Sequence, residues 1–237
     1  NDMKRIISIC KKHKLYLIED AAEMIGQNYF NVPCGSFGDI SIFSFYANKH
    51  ITTGEGGAIL TNNKKLNEKI KELRNLNFGK INRYNHTDLS WNYRFTNIQA
   101  ALGLSQLKRI KNIVKRKREI GKFYYNHFKE NKYMQIQPYK LKYATNIYWV
   151  FGIVLKNKFK NRKTEILKKL LNKGIDTRSF FWPMHKQTIF KKMGLFKKES
   201  YPVAENLAKN GFYLPSGLGL SNKQLKYIVR ITNKIIS

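Results

Sequence analysis

Cysteine is scarce in this chain. Cys10 and Cys34 are the only two in 237 residues, and they lack C-x-x-C spacing. That excludes a disulfide scaffold and a cysteine zinc site, and it suits a reducing cytoplasm. No apolar stretch approaches the roughly 20 residues needed to cross a bilayer, so a membrane partner is not expected. The opening residues Asn1-Asp2-Met3-Lys4-Arg5 carry no apolar signal core. Internal repeats and low-complexity linkers are absent. His13, His50, His86 and His127 show no metal-ligand spacing, so no metal is expected. Acidic residues are also few, 15 against 45 Lys and Arg, for a formal charge of +30.

That charge has two readings, a nucleic-acid partner or a solvated basic surface. The basic residues divide into 35 Lys and 10 Arg, and Arg is the side chain suited to bidentate phosphate and base contacts. The lysines are spread over most of the expected helices, beside 24 Asn and 25 Ile. This distribution implies solvated faces and no specific nucleic-acid site. A basic field still attracts an anionic small molecule.

What the chain does contain is a core: 42 % of residues are hydrophobic and 14 % aromatic. Its length allows one large domain or a domain and a half. Periodicity predicts a helix over 3–13, a buried strand over 15–19 with Asp20 at its end, and a turn over 31–35. Strands are expected at 40–45 and 58–61, and then a helix over 64–75 capped by Asn62. From Asn97, the spacing of Ile98, Ala101, Leu102, Leu104, Leu107, Ile110 and Ile113 predicts one long helix that Glu119–Phe128 extends or restarts. Thr96-Asn97 supplies capping chemistry. A second unit follows, with strands at 148–155 and 175–178 and helices at 163–172, 205–209 and 221–235. Strand–helix alternation gives an α/β class.

Lys49 carries the chemistry. It follows the strand Ile40–Phe45 and precedes the turn Gly54-Glu55-Gly56-Gly57, which lacks the GxxxxGK[ST] spacing of a phosphate loop. Asp20 closes one strand and Ser44 lies at the end of another. A carboxylate at one strand end, a hydroxyl at another and a lysine five residues on form a pyridoxal 5'-phosphate (PLP) constellation. The amine forms a reversible imine with the aldehyde, the carboxylate keeps the ring nitrogen protonated, and the hydroxyl helps bind the phosphate. Burial of Asp20 is expected, with the pyridinium as its cationic partner.

Glu19-Asp20-Ala21-Ala22-Glu23, Gly35-Ser36-Phe37-Gly38-Asp39, Phe43 through Gly57 and Asn92-Tyr93-Arg94-Phe95-Thr96-Asn97-Ile98-Gln99-Ala100-Ala101 resemble the DegT-type sugar-nucleotide aminotransferases. So do Thr177-Arg178 and Pro183-Met184-His185. Asp-Ala-Ala-Glu combined with Asn-Lys-x-Ile-Thr-Thr-Gly-Glu-Gly-Gly is most similar to the GDP-perosamine synthases of that family. The resemblance implies an aspartate-aminotransferase-like, fold-type-I PLP transferase. Residues 1–117 would form the C-terminal part of its large domain and 118–237 its small C-terminal domain. A segment with a phosphate-binding turn and a stacking aromatic would precede Asn1.

The resemblance makes Lys49 the catalytic amine. It puts Asp20, Glu23, Ser44 and Asn92 on the cofactor, and Arg94, Arg178 and His185 on the substrate. Family members carry Gln or His where this chain has Glu23. Asn92 and Arg94 are expected to reach the site of a neighbouring subunit, which implies a homodimer with shared sites. The implied reaction moves an amino group from glutamate to a 4-keto-6-deoxy nucleotide-sugar, in polysaccharide and O-antigen synthesis. One rival reading is a sugar dehydratase of the same fold, which would carry histidine at the position of Lys49. The other is a truncated, non-catalytic fragment or basic binding module.

Overall fold

A computed structural model describes residues 2–79, 81–196 and 198–237. The chain divides into two compact units. The first runs to Val114 and takes back Lys142–Ile147, and the second comprises Lys115–Leu141 and Tyr148–Ser237. The expected boundary after residue 117 lies three residues beyond Val114.

The first unit opens with α1 (Met3–Lys12), whose N-cap Asp2 accepts a hydrogen bond from the Arg5 amide. Its sheet has the order β1 (Ile18–Asp20), β2 (Ile40–Ser44), β3 (Gly57–Leu60). The β1–β2 pair is parallel, with Asp20 opposite Ile42, and β2–β3 is antiparallel, with Ser44 opposite Gly57. The strand predicted over 15–19 is shorter and less covered than expected. Leu15, Tyr16 and Ile18 are 56 %, 82 % and 67 % exposed. The reason is position, since β1 is an edge strand hydrogen-bonded only to β2 among the described residues.

The predicted turn over 31–35 contains half of a small hairpin, Asn28–Tyr29 paired with Val32–Pro33. Helix α2 (Lys64–Arg74) is capped by Asn63 rather than Asn62, because the Asn63 side chain is the one that accepts the Leu66 amide. The long helix expected from Asn97 is two helices, α3 (Asn97–Leu107) and α4 (Ile110–Phe128). Between them the Arg109 amide bonds the Gln106 carbonyl at 2.9 Å, tightening the turn to three-residue spacing. Thr96 and Gln99 form a reciprocal capping box at the start of α3.

The second unit is built on an antiparallel sheet. In chain order its strands are β4 (Met134–Ile136), β5 (Phe151–Leu155), β6 (Arg178–Ser179) and β7 (Gly211–Leu214), and in space they run β6-β7-β5-β4. The helices α5 (Lys163–Leu171), α6 (Thr188–Lys192), α7 (Pro202–Asn210) and α8 (Asn222–Ile235) complete it. All five β5 residues are buried. Around them pack Ile120, Tyr124 and Phe128 of α4, Ile166 and Leu170 of α5, and Leu225, Ile228 and Val229 of α8. Every side chain of this main hydrophobic core belongs to the second unit.

Candidate active site

The parallel pairing of β1 and β2 puts their C-terminal ends on one sheet edge, where ligands sit in α/β proteins. Asp20 ends β1 and Ser44 ends β2, so the topology brings both to that edge. Strand alternation sends Glu19 and Asp20 to opposite faces. Glu19 organises the neighbouring turn by accepting from the Gly35 amide (2.6 Å), the Phe37 amide (2.9 Å) and the Ser41 hydroxyl (3.1 Å). Asp20 faces away from that turn and accepts the Ala22 amide at 3.0 Å. It is exposed, contrary to the expected burial. Its strand is the sheet edge, and the described residues place no layer over it.

Lys49 lies in the loop that joins β2 to β3, and its side chain is 11 % exposed. Its Nζ stands 3.1 Å from Glu23 Oε1, an ion pair that brings the segment after Asp20 to the lysine. The loop itself is held by side chains of α3. Gln106 closes two bonds on the Thr52 main chain, accepting its amide at 3.1 Å and donating to its carbonyl at 2.7 Å. Gln99 Nε2 donates to the Glu55 carbonyl at 3.2 Å. Within the loop, Phe45 bonds through its amide to Gly56 and through its carbonyl to the Thr53 amide. Ser44 Oγ accepts the Tyr46 amide at 3.2 Å.

Asn92 and Arg94 are adjacent and exposed, and the Arg94 Nε donates to Asn92 Oδ1 at 2.8 Å. Arg178 is exposed on β6 of the second unit. His185, in the same unit, is only 5 % exposed. Its Nε2 lies 2.9 Å from Glu205 Oε1 and its ring meets Tyr201 edge-on, so protein groups hold it. Bonds from His185, the Tyr201 amide and Lys186 push the Glu205 carboxyl down to about 2.

The structure adds Glu19, Gln99, Gln106 and Glu205 to the residues expected from the sequence. Glu205 was findable in principle, because Pro202 at the first position of α7 marks a helix start and puts an acid in the first turn. The Gln106–Thr52 bonds span 54 residues and leave no local pattern. Among the described residues no group of His, Cys, Asp and Glu could hold a metal ion. No helix there is long and apolar enough to cross a membrane.

An amine paired with a carboxylate, a second carboxylate and a hydroxyl on one sheet edge form a donor set that suits PLP. Comparison with known proteins supports this. The family described as "DegT/DnrJ/EryC1/StrS aminotransferase family" matches residues 1–233. A GDP-perosamine synthase of Escherichia coli O157:H7 is 37 % identical over 237 residues, all of this chain and 62 % of the relative. A UDP-4-amino-4,6-dideoxy-N-acetyl-beta-L-altrosamine transaminase of Campylobacter jejuni serotype O:23/36 is 33 % identical over 96 % of this chain and 60 % of its own length. The solved structure of Helicobacter pylori PseC, an aminotransferase involved in the biosynthesis of pseudoaminic acid, superimposes with a TM-score of 0.92 at 30 % identity. That match covers 100 % of this chain and 63 % of PseC. The chain thus spans under two thirds of the length of these relatives.

Proposed function

We propose, because this chain belongs to the DegT/DnrJ/EryC1/StrS aminotransferase family, that its protein is a PLP-dependent transaminase of nucleotide-sugars. The acceptor in this reading is GDP-4-keto-6-deoxymannose and the amino donor is glutamate. The observation that carries the reading is Lys49, held by Glu23 on the sheet edge that also carries Asp20 and Ser44. The GDP-sugar is favoured because the GDP-perosamine synthase relative, at 37 %, is nearer than the UDP-sugar transaminase at 33 %.

PLP, when bound, supplies an electrophilic aldehyde and a ring that stabilises negative charge at the substrate carbon. The chain's own residues do the rest. Lys49 Nζ would be the nucleophile toward that aldehyde and, as a free amine, would move the proton at the substrate carbon. Glu23 sets the amine's position, and its carboxylate lies close enough to take a proton from Nζ. Asp20 would keep the ring nitrogen protonated, and Ser44 would help hold the phosphate. Asn92 and Arg94 are assigned to a neighbouring subunit's site, with the guanidinium offering a fork for the donor carboxylate. In the second unit, Arg178 and His185, the latter oriented by Glu205, are assigned to the sugar-nucleotide.

A homodimer fits the surface of the first unit. Trp91 and Tyr93, stacked on each other, and Ile98, Leu104 and Leu107 are between 51 % and 76 % exposed, and apolar side chains this open suit a subunit contact. The unpaired Cys10 and Cys34 suit the cytoplasm. Borohydride reduction of the full-length, PLP-loaded protein is expected to fix the cofactor to the peptide carrying Lys49. Label on another lysine, or unchanged turnover in Lys49→Ala, would overturn the assignment.

A further inference from the structure

The side chain of Gln106, on α3, makes three hydrogen bonds. Its Oε1 accepts the Thr52 amide at 3.1 Å, and its Nε2 donates to the Thr52 carbonyl at 2.7 Å and to the Leu102 carbonyl at 2.9 Å. We propose that Gln106 is a positioning residue for Lys49, fixing the lysine's loop so that Nζ meets the PLP aldehyde. The inference rests on the PLP reading above and adds to it a residue that acts through another.

The loop is closed at its base, just after β2. There the Phe45 carbonyl accepts the Thr53 amide at 2.9 Å and the Thr52 hydroxyl at 3.1 Å. Lys49 lies midway between these ends, four residues after Phe45 and three before Thr52. The Lys49 amide bonds the Tyr46 carbonyl at 3.0 Å, a turn that carries any movement of the base to the lysine. Glu23 holds Nζ, the far end of the side chain, whereas Gln106 holds the backbone from which that side chain departs.

The chemistry of the contact calls for glutamine. By meeting the N–H and C=O of one residue, the side-chain amide copies the paired bonds of an antiparallel ladder. An aliphatic side chain would offer neither bond, an ionised glutamate would have no donor for the carbonyls, and asparagine is one methylene shorter. The third bond, to Leu102 four residues back, keeps the side chain folded along α3. Helix and loop also approach closely at the preceding turn. A Cβ on Gly103 would lie 3.1 Å from Cγ2 of buried Thr53. Gly103 and Gln106 share one helix face, so α3 meets the loop on successive turns.

The test mixes the full-length protein, freed of cofactor, with PLP. Capture joins the Lys49 nitrogen to the aldehyde carbon, and the aldehyde oxygen leaves as water. Gln106→Leu keeps a good helix former on α3 and removes both bonds to Thr52. It is expected to slow capture at Lys49, followed by absorbance and by borohydride trapping, about 10- to 100-fold. Pyridoxamine 5'-phosphate has no aldehyde, so its affinity should be unchanged. Ser105→Gly weakens α3 at an exposed position that does not bond Thr52, and it should leave the capture rate unchanged. Capture at the wild-type rate in Gln106→Leu would overturn the positioning role. So would an equal loss of capture in Ser105→Gly, or an equal loss of pyridoxamine 5'-phosphate affinity in Gln106→Leu. Wild-type label on a lysine other than Lys49 would instead overturn the PLP reading.

Discussion

Lys117 offers the sharpest quantitative test of the structure. It is 8 % exposed in the second unit, and its Nζ donates to the Trp149 and Ser216 carbonyls and the Ser216 hydroxyl. Burial lowers its pKa from 10.5 to about 8. Between those two values the unfolded chain holds a proton that the folded chain has lost. Stability therefore rises with pH across that window, and the penalty for the buried charge is complete below about 8. At about 1.36 kcal/mol per unit, the shift from 10.5 to about 8 is worth about 3 kcal/mol.

Many other lysines and tyrosines titrate over the same range, so the wild-type profile alone decides nothing. The difference between wild type and Lys117→Met isolates this one group. Urea unfolding at a series of pH values should show wild type gaining about 3 kcal/mol on the variant between pH 8 and 10.5. A flat difference would show that Lys117 has an ordinary pKa in the folded protein, and hence that its cavity is wetter than the structure indicates.

Two further outcomes are expected. Phe151→Ala should destabilise the second unit by about 3–5 kcal/mol in urea unfolding, since Phe151 is fully buried among Tyr124, Phe128 and Tyr148. Mixing inactive Lys49→Ala with inactive Arg94→Ala subunits of the full-length protein should restore part of the activity, because one hybrid site keeps both residues. No recovery despite demonstrated exchange would count against a shared site.

Much of the fold is legible in the sequence because it rests on local rules. The capping pairs Thr96/Gln99 and Ser221/Gln224 announce their helices, and both boxes form. Gly174 ends the helix region after α5 with a φ of +72°. The alternation of strands and helices gives the α/β class. Strands of three or four residues such as β4 and β7 escape notice, because their hydrophobic pattern is too short to separate from a buried helix turn. In the site, Asp20 and Ser44 are visible as strand-end residues of the right chemistry, and Lys49 as the lysine between a strand and a glycine turn. The partner of Lys49 is not, since Glu23 is 26 residues away and meets it only through the parallel pairing of β1 and β2. Burial misleads at Asp20, because a run of apolar residues shows that a strand can be covered and not that it is.

The two units are stabilised by different means, and the difference bears on the chemistry. The second unit has a closed aromatic and aliphatic core, so its geometry follows from packing. The loop of Lys49 has Ile51 and Thr53 buried beneath it, but its path is set by directed hydrogen bonds from Gln99, Gln106 and Thr52. Each such bond contributes only about 0.5–1.5 kcal/mol to stability, yet each fixes a direction that packing alone does not. The proposed role of Lys49 as catalytic amine requires that kind of control, because an error of about 1 Å in its placement costs far more in rate than a lost hydrogen bond costs in stability. Gln106 matters most in this respect. By bonding both the amide and the carbonyl of Thr52 it ties the two peptide groups that flank this residue to α3, three residues from Lys49. Helix α3, marked in the sequence only by its cap and its apolar spacing, is thereby the element that aims the lysine.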